Sequence, residues 1–178
     1  MKFITYSVKE IEGKPYACVH TPHILISIRC PGEQVTPSPN THCKDTLELY
    51  FDDVSGGCVK TATYFTQDDA RKILDTVDKC VQNRIELIVT HCHAGISRSV
   101  AVNSALSKIL NYTDDDIFHS GIPNMWVYTT ILDTFFLSDY TKDRWKNIHL
   151  YRTTSMDNIL PDNLSRLNRL MERRNDTR

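Results

Sequence analysis

The chain has 178 residues and a formal net charge of −1 at pH 7. That length suits one domain with a sizeable core, and a near-neutral charge gives no reason to expect a nucleic-acid or membrane-surface partner. No apolar run approaches the roughly 18 residues that a membrane-crossing helix needs.

The first apolar run, Met1-Lys2-Phe3-Ile4-Thr5-Tyr6, is too short for a signal peptide. Residues 2–8 and 16–19 alternate weakly and suggest a hairpin around Glu12-Gly13-Lys14-Pro15. Ile24-Leu25-Ile26-Ser27-Ile28 reads as a strand. Cys18, His20, His23 and Cys30 invite a zinc reading, but their spacing matches no common closed site, and ordinary loop and sheet roles fit better. Residues 31–44, with Pro31, Gly32, Pro37 and Pro39, read as a loop. Thr46 to Phe51 is the next strand, and Asp52, Asp53 and Gly56-Gly57 follow it.

Thr66-Gln67-Asp68-Asp69 has the form of a capping box. It opens a helix with apolar residues at 70, 73, 74, 77, 80 and 81. Ile85 to Thr90 is rich in β-branched and aliphatic residues and reads as a short buried strand. Ser99 to Leu110 places apolar residues at 102, 105, 106, 109 and 110, which is helical spacing. Thr113-Asp114-Asp115-Asp116 starts a short helix, its acids suited to the dipole. Pro123 starts another, with Val127, Ile131, Leu132, Phe135 and Phe136 on one face. Residues 139–161 are polar and read as irregular. Asn163 to Arg174 reads as a last helix with Leu164, Leu167, Leu170 and Met171 inward, its arginines expected on a solvated face.

Strand, helix and strand in succession imply an α/β fold: a central, mostly parallel sheet of about four to five strands flanked by helices. The expected organisation is one domain over 1–178, with a core at about 24–138 and an extension over 139–178. A site is expected at the C-terminal ends of the strands, where ligands bind in open α/β sheets.

The chemistry concentrates in His91-Cys92-His93-Ala94-Gly95-Ile96-Ser97-Arg98-Ser99, between the strand ending at Thr90 and the helix starting at Ser99. A strand running through a tight loop into a helix leaves the first helical N–H groups unpaired. With the positive end of the helix dipole they make an anion site. The same field favours the thiolate, the nucleophilic form of Cys. Gly95 permits a backbone conformation that lets successive N–H groups point inward. Arg98 offers a planar fork for two phosphoryl oxygens. Ser99 can donate to the sulfur and ease its departure. The loop residues His93, Ala94, Gly95, Ile96, Ser97 and Arg98 are the expected phosphate cradle, with Cys92 as nucleophile. A metal between His91, Cys92 and His93 is not expected, because alternate strand residues point to opposite faces.

This string resembles the signature loop of the cysteine-dependent protein tyrosine phosphatase superfamily, and most closely its dual-specificity branch, whose loops commonly read His-Cys-x-x-Gly-x-x-Arg-Ser. The resemblance implies covalent phosphoryl transfer through a phosphocysteine, with no metal or cofactor. It implies that His91 orders the loop by hydrogen bonding, and that Asn124 of Pro123-Asn124 braces it. It also implies a general acid after the neighbouring strand. Counting on from Leu49 as in the family lands on Asp53, with Asp52 the alternative. Both also have the bland reading of Asp at a strand end.

There is no Trp-Pro-Asp string, and the chain is shorter than the large tyrosine-specific domains. The resemblance therefore implies a shallow site open to phosphoserine, phosphothreonine and phosphotyrosine on a protein substrate. Phosphoinositide and RNA 5′-phosphate enzymes of the superfamily often carry extra Lys in this loop, or Thr-Gly after the Arg; here Ser99-Val100 follows. A catalytically silent phosphate-binding module is the reading from another class. A cysteine protease lacks a separate His–Asn pair. The scattered cysteines at 18, 30, 43, 58, 80 and 92, with the need for a free Cys92, suggest a reducing, cytoplasmic setting.

Overall fold

A computed structural model of the chain describes residues 1–55, 59–137 and 144–154. Four parallel strands form one sheet in the order β1-β4-β2-β3, with β1 at Lys2–Tyr6, β2 at His23–Arg29, β3 at Cys43–Tyr50 and β4 at Leu87–His91. This is the parallel α/β sheet expected from the sequence. The two central strands, β2 and β4, are buried at every residue. Parallel strands covered on both faces need continuous apolar runs, which Ile24–Ile28 and Leu87–Val89 supply. The edge strand β3 is mostly exposed and carries charge on the open side.

The expected hairpin does not form. β1 pairs in parallel with β4, from Lys2 opposite Leu87 to Tyr6 opposite His91. Residues 8–17 instead make two single-turn helices, α1 (Val8–Ile11) and α2 (Lys14–Ala17). Local chemistry favours them. Ser7 and Glu10 close a capping box on α1, and Pro15 sits in the first turn of α2, where its missing N–H costs nothing. Buried Ile11 and Tyr16 then pack under the sheet with Leu25, Leu87 and Val89. β1 is thus an integral strand, so the packed unit begins well before residue 24.

The long helices cover the other face. α3 (Gln67–Gln82) starts from the Thr66–Asp69 capping box and buries Ala70, Ile73, Leu74, Val77 and Cys80. α4 (Arg98–Asn111) is buried along almost its whole length. α5 is one turn, Asp115–Phe118. α6 (Met125–Phe136) begins two residues after Pro123, with Asn124 as its cap: the Asn124 side-chain oxygen accepts the N–H of Val127.

Residues 146–154 are helical, where the sequence was expected to be irregular. Trp145 and Ile148 lie in the main core, one turn apart. Asp75 of α3 accepts from the Trp145 ring N–H at 2.8 Å and from Arg144 at 2.9 and 2.7 Å. Asp78, one turn along, accepts the Asn147 side chain at 2.7 Å. The acceptors that order this segment are some seventy residues away in sequence, so no local pattern announces them. The expected helix at 163–174 lies outside the described residues. Among the described residues no helix is long and apolar enough to cross a membrane.

Candidate active site

β4 carries His91 to the C-terminal edge of the sheet, and Cys92 follows it at the loop mouth. The loop turns through Gly95, whose φ of +75° lies in the region that L side chains avoid. A Cβ there would also come within 2.8 Å of the Ser7 nitrogen and 2.9 Å of the Tyr6 carbonyl carbon. The loop rests on the end of β1: Cys92 N–H donates to the Tyr6 carbonyl at 3.3 Å, and Val8 N–H to the His93 carbonyl at 3.1 Å. On the outer side, Ile122 N–H donates to the Ile96 carbonyl at 2.8 Å and Asn124 N–H to the Ser97 carbonyl at 3.4 Å. Fastened on both sides, Ala94 to Ser97 curl around the first turn of α4, whose leading N–H groups have no intrahelical acceptor.

The Cys92 sulfur is 3.1 Å from the Ser99 hydroxyl. Both side chains are buried, within reach of the same helix terminus. Arg98 is also buried; its Nη1 donates to the Phe51 carbonyl at 2.7 Å and to the Cys30 sulfur at 3.3 Å. Among the described residues its Nε has no hydrogen-bond partner, and Asp53 Oδ2 lies 4.0 Å from it. A guanidinium held at one edge and open at the other is set for an anion.

The two candidate acids part company. Asp53 Oδ1 accepts from the Ser97 hydroxyl at 2.8 Å and from the Asn124 side chain at 2.8 Å. Asp52 turns the other way, its Oδ2 accepting the Thr63 N–H at 2.8 Å. Asp53 is therefore the carboxylate brought to the loop. Asn124 also reaches the Val54 carbonyl at 3.2 Å, so it ties the segment after β3 to the start of α6.

His91 does not bond into the loop. Its Nε2 lies 2.7 Å from the Ser27 hydroxyl on β2, and that hydroxyl accepts from Arg29 Nε at 3.1 Å. Either group can be the donor in the Ser27–His91 contact, and among the described residues the ring's Nδ1 has no hydrogen-bond partner. Burial, with the charges of Arg29 and Arg98 beside it, pushes the His91 pKa down to about 4. The ring is neutral near pH 7.

His93 is exposed, and its Nδ1 lies 2.7 Å from Glu33 Oε1. The other Glu33 oxygen accepts the Cys30 N–H at 2.9 Å. Burial alone would raise the Glu33 carboxyl, but the hydrogen bonds from His93 and the Cys30 N–H, with the charges of His93 and Arg98, outweigh it and hold the pKa below its usual value.

The sequence reading missed the supports from outside the motif: Tyr6 to Val8 beneath the loop, Ser27 and Arg29 beside His91, and Cys30 and Glu33 beside Arg98 and His93. One signal was present, an Arg and an acid flanking the Pro-Gly turn directly after an apolar strand. Among the described residues no group of His, Cys, Asp or Glu is placed to hold a metal.

No family model matches the chain, and no curated protein matches its sequence. Solved structures match it in fold. The human tyrosine phosphatase-like serine/threonine/tyrosine-interacting protein superposes with a TM-score of 0.56 at 17% identity, over 76% of this chain and 93% of that one. PTPMT1 superposes with a TM-score of 0.50 at 13% identity, over 86% of this chain and 95% of that one. The chain shares the fold of these two solved structures.

Proposed function

We propose that the protein is a cysteine-dependent phosphatase that hydrolyses phosphotyrosine, and phosphoserine or phosphothreonine, on protein substrates through a phosphocysteine intermediate. The observation that carries this is the convergence on one helix terminus of the Cys92 sulfur, 3.1 Å from the Ser99 hydroxyl, and the open Nε edge of Arg98, 4.0 Å from the Asp53 carboxylate.

In the first step the Cys92 thiolate attacks phosphorus, while the loop amides of 93–98 and the Arg98 guanidinium hold the equatorial oxygens. A P–S bond forms as the bond to the leaving oxygen breaks, and Asp53 gives that oxygen its proton. In the second step water attacks the phosphocysteine and Asp53, now a carboxylate, takes the water's proton. The P–S bond breaks, inorganic phosphate is released and the sulfur departs as thiolate with the Ser99 hydroxyl donating to it. His91, neutral and tied to Ser27, has no proton-transfer role; it packs the base of the nucleophile's strand. No cofactor enters the scheme. Cys18, Cys30, Cys43, Cys80 and Cys92 are all free thiols, which suits a reducing compartment such as the cytoplasm.

The test is hydrolysis of an aryl phosphate in EDTA by the wild type and by Cys92→Ser. Turnover that resists EDTA and disappears in the variant is the expected result. Turnover that survives in Cys92→Ser sinks the mechanism. A reduced, folded wild type that binds phosphate without turning over any monoester would instead be a phosphate-binding module.

A further inference from the structure

An acid stands beside the anion site. Glu33 lies within the field of Arg98, the group set to clamp a phosphoryl oxygen, and its pKa is held below the usual value, so it is ionised near pH 7. Its side chain is only 19% exposed, so water and salt screen the charge incompletely. A fixed negative charge beside a site for anions repels those anions. Glu33 therefore opposes the site unless its bonds contribute more than its charge removes.

Those bonds come from a turn built by Pro31 and Gly32. β2 ends at Arg29, and the Glu33 N–H donates to the Cys30 carbonyl at 3.0 Å across the turn. Gly32 has a φ of +84°, the positive value that Gly supplies at the third position of a Pro-Gly turn. The turn brings the Glu33 side chain back to Cys30, and one carboxylate oxygen accepts the Cys30 N–H at 2.9 Å. The other oxygen lies 2.7 Å from His93 Nδ1. A carboxylate only accepts, so His93 donates there. The Cys30 sulfur in turn accepts from Arg98 Nη1 at 3.3 Å. One turn after β2 thus meets the loop at both ends, at His93 next to the nucleophile and at Arg98 where the cradle closes.

We propose that Glu33 is a positioning residue of the oxyanion site: it holds His93 directly and Arg98 by way of Cys30, and so fixes the two ends of the loop relative to each other. This rests on the reading of the loop as a phosphate cradle and adds a support from outside the motif. The donors of the cradle must hold their places before an anion arrives, because groups that have to be ordered on binding give up part of their strength. A carboxylate serves despite its sign, since its two oxygens accept from a backbone N–H and a ring N–H at once. The gain in order then outweighs the repulsion between Glu33 and the bound phosphoryl group.

The experiment measures by calorimetry the affinity for tungstate, an unreactive tetrahedral oxyanion. Charge alone predicts that Glu33→Ala binds tungstate more tightly than the wild type. Positioning predicts the opposite sign, a loss of about tenfold, the effect of one charge-assisted hydrogen bond. Glu33→Gln lacks the charge but keeps an acceptor for the Cys30 N–H and an amide beside His93, so it should bind more tightly than Glu33→Ala. In a His93→Ala background one of the two held groups is gone, and Glu33→Ala should cost about threefold or less. Equal or tighter binding by Glu33→Ala overturns the proposal, as does a Gln variant no better than the Ala variant. A loss of equal size in both backgrounds also overturns it and leaves Glu33 a turn former. A further comparison keeps Glu33 in place. His93→Asn, whose amide can donate from the position of Nδ1, should bind tungstate about threefold or more tighter than His93→Ala; equal affinities overturn the hold on His93. If the wild type binds tungstate but turns over no monoester, the phosphatase reading fails by itself and the same affinities still decide the role of Glu33. If the wild type does not bind tungstate, the cradle fails and the proposal with it.

Discussion

Asn124 donates from its side-chain nitrogen to Asp53 Oδ1 at 2.8 Å, while its side-chain oxygen accepts the Val127 N–H at 3.2 Å. One amide thus caps α6 and holds the carboxylate that faces Arg98. The two jobs use opposite ends of the group, so they can be separated by substitution. Asn124→Ala should lose about 1 kcal/mol of stability with the cap and about tenfold in kcat through a loosened Asp53. Asn124→Asp keeps an acceptor for the cap but places a like charge against Asp53. Its Tm should recover while kcat does not. A variant series in which Tm and kcat move together throughout would refute the separation.

Asp53→Ala and Asp52→Ala are adjacent substitutions with different expected outcomes. Removing Asp53 should cost about 10²–10⁴-fold in kcat on an alkyl phosphate such as phosphoserine, which needs its leaving oxygen protonated. The loss should shrink on a nitrophenyl phosphate, whose leaving group departs well without a proton. Asp52 accepts a backbone N–H and does not face the loop. Asp52→Ala should cost on the order of 1 kcal/mol in urea unfolding and leave the dependence on leaving group intact. The opposite pattern would make Asp52 the acid.

Gly95→Ala tests the cradle. The new Cβ meets both a positive φ and the backbone of Tyr6 and Ser7, so the loop must shift or β1 must yield. The expected cost is roughly 1–3 kcal/mol of stability, with loss of vanadate binding measured by calorimetry. Retained vanadate affinity would show that the loop does not depend on its contact with β1.

His91 should contribute a pH dependence of stability. Its pKa falls from 6.5 to about 4 on folding, so the unfolded chain binds the extra proton between those values. Stability therefore rises with pH across that window. The His91 contribution is complete above about pH 6.5 and is lost as pH falls towards 4. Its full size is on the order of 3 kcal/mol. Carboxylates titrate in the lower part of the window, so the clean interval is pH 5 to 6.5. Urea unfolding of wild type and His91→Asn over that interval should show the wild type losing stability faster. Parallel curves would mean that the ring is not buried neutral.

Much of the scaffold was legible in local pattern. The aliphatic run Ile85–Thr90 and the apolar spacing of Ser99–Leu110 match β4 and α4 within two residues at each end, because an apolar period dictates which faces can be buried. The Thr66–Asp69 capping box predicted the start of α3 because both partners lie within one turn. The parallel sheet followed from the order of strands and helices. Other features depended on residues far apart in the chain. Weak alternation over 2–8 and 16–19 could not distinguish a hairpin from a strand followed by two short helices; pairing of β1 with β4 across more than eighty residues decided it. Asp52 and Asp53 are chemically identical neighbours, and only the positions of Thr63, Ser97 and Asn124 send one away and draw the other in. Segment 144–154 was ordered by Asp75 and Asp78 on a helix it meets only after folding. Local pattern was enough for the strand–loop–helix unit and the residues gathered in it, since these depend on near neighbours. Which carboxylate faces the arginine and what supports the loop were left to tertiary contacts, since each depends on groups that lie far apart in the chain.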